Sequence, residues 1–148
     1  MSFKLKGEVL GLKNVDKRLS DYSKVVQKDA GIAIAEGVLA IHAEAIKSIQ
    51  KQGSSSGSET RYDPKRTVKV SAPGSPPNSD TGRLVKSIEF DIDIDKASGL
   101  VGTNLPYGAH LEFGAKSINL EARPWLAPAY RKFRDKIIKN LAKVLKSK

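Results

Sequence analysis

Side chains able to titrate, attack a substrate or hold a metal are sparse in this chain, and each sits in a context that can be read. There are two histidines and no cysteine. His42 lies between Ile41 and Ala43, with Ile46 one turn further on, which predicts a packed or interface histidine rather than a general base. His110 precedes Glu112 by two residues, and side chains at that separation on a helix do not face each other. The lack of cysteine removes disulfides, thiolate nucleophiles, thiolate zinc sites and iron–sulfur clusters together. Nucleophilic catalysis is left without an expected residue.

Two further patterns fail as ligand sites. Asp91-Ile92-Asp93-Ile94-Asp95 opens like a calcium-binding loop, but Lys96 stands where the loop needs glycine and Gly102 where it needs a bidentate glutamate. A solvated acidic strand face, or an electrostatic contact with a basic neighbour, accounts for the run. The stretch Gly53 to Gly57 lacks the Gly-Lys-Ser/Thr ending of a phosphate-cradling loop. No catalytic, cofactor-binding or metal-binding residue and no cofactor are expected, and the chain reads as a non-enzyme.

The elements that would position a binding surface are easier to place. Phe3 to Leu12 mixes apolar and polar residues as a short strand or arm. From about Val15 to Gln52 there is no proline, and Val26, Ala30, Ala33, Gly37, Ile41, Ala45 and Ile49 recur at helical spacing, predicting one long helix with a break near Tyr22-Ser23. Ile32, Ala35, Leu39 and Ile46 widen its apolar surface beyond one stripe, so burial against its own sheet and against a neighbouring subunit is expected. Gly53 to Ser58 reads as a flexible break, Arg66 to Ala72 as one arm of an extended hairpin, and Pro73 to Ser79 as a rigid loop. Residues 53–79 thus form an extended loop or hairpin.

Asp80 to Ile88 predicts a capped helix of one or two turns running into a strand. That strand, Glu89 to Asp95, alternates strictly, with Phe90, Ile92 and Ile94 on one face and carboxylates on the other. Lys96 to Gly99 turns the chain into a return strand, Leu100 to Asn104. A short helix over Tyr107 to Phe113, a loop over Ala115 to Glu121 and a terminal helix over Pro124 to Leu145 complete the chain. In that last helix Leu126, Tyr130, Phe133, Ile137, Leu141 and Leu145 share one stripe. The expected architecture is a single α+β domain over residues 1–148, with a long N-terminal helix and a C-terminal helix packed on a small antiparallel β-sheet.

Composition agrees with a globular protein, at 39% hydrophobic and 28% charged residues. Its N-terminus is charged too early for a signal peptide, no apolar run could span a bilayer, and the expectation is a soluble protein made and kept inside a cell, or assembled there, without membrane contact. The formal charge of +10 is concentrated at one end: residues 130–148 carry eight Lys/Arg against one Asp/Glu. Lys136, Lys139, Lys143, Lys146 and Lys148, the last four in a basic tail over 139–148, either contact DNA phosphates non-specifically or form a solvated helix end suited to the helix dipole. No aromatic is interleaved with them to stack on bases.

Two segments carry a family resemblance. Ala72-Pro73-Gly74-Ser75-Pro76-Pro77-Asn78-Ser79-Asp80-Thr81-Gly82-Arg83-Leu84-Val85-Lys86-Ser87-Ile88 is the first, and the second is Tyr107 to Gly114 followed by Ala122-Arg123-Pro124-Trp125-Leu126-Ala127-Pro128-Ala129. In this order and spacing the chain, from about Asn14 to Ile138, resembles the tail-component or morphogenesis family of tailed bacteriophages, small proteins of the neck where head meets tail. It departs from the commoner pattern at Ala115, where Thr or Ser often follows the glycine, and at Trp125, where Phe is more usual.

The resemblance implies a structural virion protein, assembled in the host cytoplasm and located in the neck or tail of the virion. It would form a homo-oligomeric ring, hexamer or dodecamer, contacting head-completion or connector proteins and tail proteins around the DNA exit channel. A tail terminator is the close variant, and a nucleic-acid-binding protein using the basic helix is the alternative of another class. Residue by residue it implies that Asp80 caps the short helix, that Arg83 pairs with Glu112, that Tyr107 and Phe113 pack under the terminal helix, that Gly114 allows a turn, and that Arg123 and Trp125 start and anchor that helix.

Overall fold

The computed structural model describes residues 12–51, 53–62 and 64–146. The expected arm over 1–12 lies outside them except for Leu12, which opens the first helix, and so does Lys148. Helix α1 runs from Leu12 to Gln50 without interruption. Tyr22 and Ser23 cost a few tenths of a kcal/mol each in propensity, about a tenth of what a proline would, so the expected break does not form. At 39 residues α1 is about 60 Å long. No described helix is long and apolar enough to cross a membrane.

The α+β class holds, with the antiparallel pairing divided between two separate two-stranded ribbons. The first joins β1 (Ser55–Tyr62) to β2 (Lys65–Ser71), and the second joins β3 (Ile88–Asp93) to β4 (Ser98–Thr103). Between the ribbons lie the proline loop and the single-turn helix α2 (Arg83–Lys86). Prolines at 73, 76 and 77 offer no N–H to a ladder, which keeps the ribbons apart. The stretch expected as a flexible break becomes β1, because β2 supplies partners from Ser55↔Ser71 through Tyr62↔Lys65. Gly53-Ser54-Ser55-Ser56-Gly57 also spells the Gly-x-Ser-x-Gly of a nucleophile elbow, which the sequence reading passes over. Ser55 opens a hairpin strand instead of a strand-to-helix turn, and its hydroxyl donates to the Gly57 carbonyl at 2.8 Å.

After β4 come α3 (Pro106–Phe113), a 3-10 turn (Lys116–Ile118) and α4 (Ala127–Lys146). The terminal helix therefore begins three residues later than expected, with Pro128 rather than Pro124 in its first turn. Its basic end continues as helix through Lys146. Leu126, Phe133 and Ile137 pack on the core, whereas Tyr130 and Leu145 of the expected stripe face outwards.

The core gathers where α1 meets everything else: Ile41, Ala45 and Ile49 bury against Leu84, Ile88, Trp125 and Ala129. His42 helps to seat the second ribbon on α1 through two contacts. His42 Nε2 donates to the Ile88 carbonyl at 3.1 Å, and its ring meets Phe90 edge-on with centroids 5.0 Å apart, the packed role expected for it. On another side α1 meets α4, where Lys132 Nζ lies 2.7 Å from Glu44. That hydrogen bond holds the Glu44 carboxyl below the usual carboxylate range.

The two helices meet tightly at Gly37, which is buried and where a Cβ would collide with Ile137. Gly37→Val should therefore cost about 1–3 kcal/mol of overpacking and lower Tm by roughly 3–10 °C in calorimetry. At Gly102 a new methyl meets nothing within 4 Å. Gly102→Ala should leave Tm within about 2 °C.

Candidate assembly site at the hairpin base

The two sequence segments singled out above meet in space. The Gly74 N–H donates to the Ala122 carbonyl at 2.8 Å, joining the proline loop to the approach to α4. Arg123 extends the junction to the first ribbon: its Nε donates to the Ser71 carbonyl at 2.9 Å and its backbone N–H to the Leu111 carbonyl at 2.6 Å. Gly114, at φ +76°, turns the chain between α3 and this region.

Glu112 is the buried charge at the centre. Its Oε2 accepts from the N–H groups of Trp125 at 2.8 Å and Leu126 at 2.9 Å, and its Oε1 from that of Ala127 at 2.9 Å. A carboxylate from α3 thus caps α4, satisfying the N–H groups of Leu126 and Ala127 at the helix start and of Trp125 just before it, at the positive end of the dipole. The expected Arg83–Glu112 pair is not formed. A buried carboxylate gains more from several fixed donors than from a long, exposed guanidinium, and Arg83 stays in solvent. Trp125 is the anchor expected, 2% exposed, with its indole N–H donating to the Gly108 carbonyl at 3.2 Å.

Asp80 does not cap α2 either. The cap position is Gly82, in the left-handed region at φ +72°, and it carries no side chain to cap with. Asp80 instead takes a two-point contact from Arg66, at 2.8 and 2.9 Å, and a third from Arg61 Nη1 at 3.1 Å. Arg61 and Arg66 are cross-strand partners whose like charges would repel, and the carboxylate between them removes that penalty. Sequence reasoning missed both arginines. Their signal was two like charges flanking the hairpin turn. Arg66 chiefly holds the Asp80 carboxyl below its ordinary value.

Phe113 does not pack under α4. Gly108 and Glu112 take the inward face of α3, and Phe113, its last residue, is left 82% exposed. Tyr107 is partly exposed on the wall of a groove of about 590 Å³ between the first ribbon and the body. Asp80, Arg83 and Arg123 line the same groove, as do Arg61, Arg66 and Val68. Of the seven structural residues expected, four line this groove, Glu112 and Trp125 brace α4 behind it, and Phe113 stands apart. Lys136, Lys139, Lys143 and Lys146 are exposed on α4, away from the groove.

Among the described residues no three or more His, Asp or Glu side chains are grouped as a metal site would need. Asp93 of the acidic run is engaged by Lys96, whose Nζ lies 2.8 Å away and holds the carboxyl below its usual range. The junction is thus a set of structural bonds around a basic concavity. Asp80 engages Arg61 and Arg66 and backbone carbonyls engage Arg123, which leaves Arg83 as the groove's guanidinium best placed to meet a carboxylate or phosphate.

Residues 13–114 match the sequence family described as "Bacteriophage HK97-gp10, putative tail-component", and the chain belongs to that family. It is a structural tail component of the phage virion by class. The matched span holds the first sequence segment and α3, and it ends before Arg123, Trp125 and α4. No curated protein and no solved structure matches the chain.

Glu112→Gln keeps the shape but places an amide donor against backbone donors, and should destabilise the fold by about 2–3 kcal/mol in urea unfolding. Asp80 behaves differently with pH. Because its folded pKa is depressed, its contribution is complete above the ordinary value of 3.8 and is lost as pH falls through the lower folded value. Amide NMR signals of the first ribbon should therefore shift below about pH 4 in the native chain and lose that step in Asp80→Asn.

Proposed function

We propose that this chain forms an oligomeric ring, a hexamer or dodecamer, in the phage neck, where it joins or completes the tail at the head around the DNA exit channel. Membership of a tail-component family carries the reading. Surface chemistry supports it. From Val15 to Val25 every residue of α1 is exposed, including Val15 at 60% and Leu19 at 65%. With Tyr22 and Val26 these residues keep the 4-3-4 spacing that suits contact with another helix. Heterologous contacts between such subunits generate rings when the rotation closes.

The neighbours in this reading are further copies of the chain, head-completion or connector proteins, and tail proteins. Exposed lysines of α4 give the ring a surface able to meet genomic DNA without sequence preference. A tail-terminator role uses the same surfaces at the end of the tail tube. The nucleic-acid-binding alternative rests on α4 by itself and predicts steep salt-sensitive binding by the free subunit, whereas the ring reading predicts it for the assembled ring only.

Deleting the gene from its phage or prophage and imaging the lysate by negative stain tests the reading. Filled heads beside separate tails are expected for joining, and overlong tails for termination. Normal joined virions would sink both. In complementation, Arg83→Ala should lower the yield of joined particles about tenfold or more, and removal of Lys146 to Lys148 should lower it less. The opposite order would reassign the interface to the terminal lysines.

A further inference from the structure

Resting on the ring reading, we infer that the groove at the hairpin base receives the β3–β4 ribbon of a second copy of this chain. The groove is concave, with apolar walls from Val68, Leu84 and Leu111 and a rim that carries Arg83. Asp80 takes Arg61 and Arg66, and backbone carbonyls take Arg123, but Arg83 has no ion-pair partner among the described residues. What fits is a surface presenting an apolar side chain flanked by carboxylates.

The outer face of the second ribbon is such a surface. Ile88, Phe90 and Gly99 turn towards α1, so the alternation puts Glu89, Asp91, Leu100 and Gly102 on the far side. Asp91 stands opposite Leu100 and Glu89 opposite Gly102. Leu100 is 72% exposed amid these acids. Among the described residues neither Glu89 nor Asp91 has an ion-pair partner, whereas Asp93 is taken by Lys96. Leu100 would enter the apolar part of the groove, and Asp91, its cross-strand neighbour, would meet Arg83.

The basic face of α4 is the competing acceptor and is disfavoured on two grounds. A helix surface and a ribbon surface are both convex, and they bury less together than a ribbon in a groove. Five of the seven cations of α4 are lysines, which lack the planar two-point geometry a guanidinium offers a carboxylate, so that only Arg131 and Arg134 could supply it there. Groove and ribbon are different patches of one subunit, so the contact is head-to-tail.

The absence of native cysteine makes the test clean. Thr81→Cys, at the exposed edge of the groove, and Ser98→Cys, beside Leu100 on the ribbon, are combined in the full-length chain and treated with a bismaleimide of roughly 10 Å reach. The expected result is a ladder of cross-linked species ending at one fixed copy number, with each single-cysteine variant giving none. In that background Arg83→Glu or Asp91→Arg should cut ladder yield at least tenfold, and the two together should restore it.

A ladder that survives either charge reversal overturns the proposal. So does loss of the ladder on Arg134→Glu but not on Arg83→Glu, which would move the acceptor to α4. Rings seen by native mass spectrometry or in the virion without any ladder overturn the proposal and leave the ring reading standing. A single copy in the virion removes both.

Discussion

The start of α4 depends on one carboxylate, and much of the junction depends on α4. Glu112 reaches from one helix to the first turn of another and accepts three backbone N–H bonds there. Those donors would otherwise be buried without partners beside Trp125, at a cost of about 1–3 kcal/mol each. With them satisfied, Trp125 and Ala129 can close on Ile41, Ala45 and Ile49, and the chain just before α4 can hold both the proline loop and the end of β2. The groove at the hairpin base exists because these bonds converge behind it.

Elements governed by local chemistry were legible in the sequence. An apolar repeat free of proline produces a long helix whatever surrounds it, and strict alternation over Glu89 to Asp95 produces a strand with an acidic face. Elements governed by a distant partner were not. Ser55 to Tyr62 is rich in serine and glycine and reads as a linker, yet it becomes a strand because β2 lies beside it. The pairing of the long-range charges failed for the same reason. In sequence the nearest partners of Asp80 are the N–H groups that follow it and Glu112 has Arg83 in the companion motif, whereas the fold brings Arg66 to one and the start of α4 to the other. Spacing identifies which residues matter at such a junction, and only the tertiary arrangement identifies their partners.

The surface divides the chain into regions of different chemical character. α1 contributes an apolar seam at its N-terminal end, the second ribbon a carboxylate face around a bare leucine, and α4 a row of lysines. The first ribbon shares a groove with the body that is rimmed by guanidinium groups. Few of these surfaces are matched within the subunit. A structural tail component is used as one piece of a larger object, and complementary patches set apart on one small domain suit that use.

Glu112 recognises main-chain donors and no side chain of α4. It lies inside the stretch that defines the family, whereas the helix it caps lies beyond. The seat is thus indifferent to what the helix carries outwards. Any sequence that can begin a helix there, bury an anchor beside Gly108 and keep an inward face like that of Ala129, Phe133 and Ile137 can be plugged into the same socket. Phages could exchange the outward chemistry of this helix, basic in this chain, without rebuilding the body that holds it.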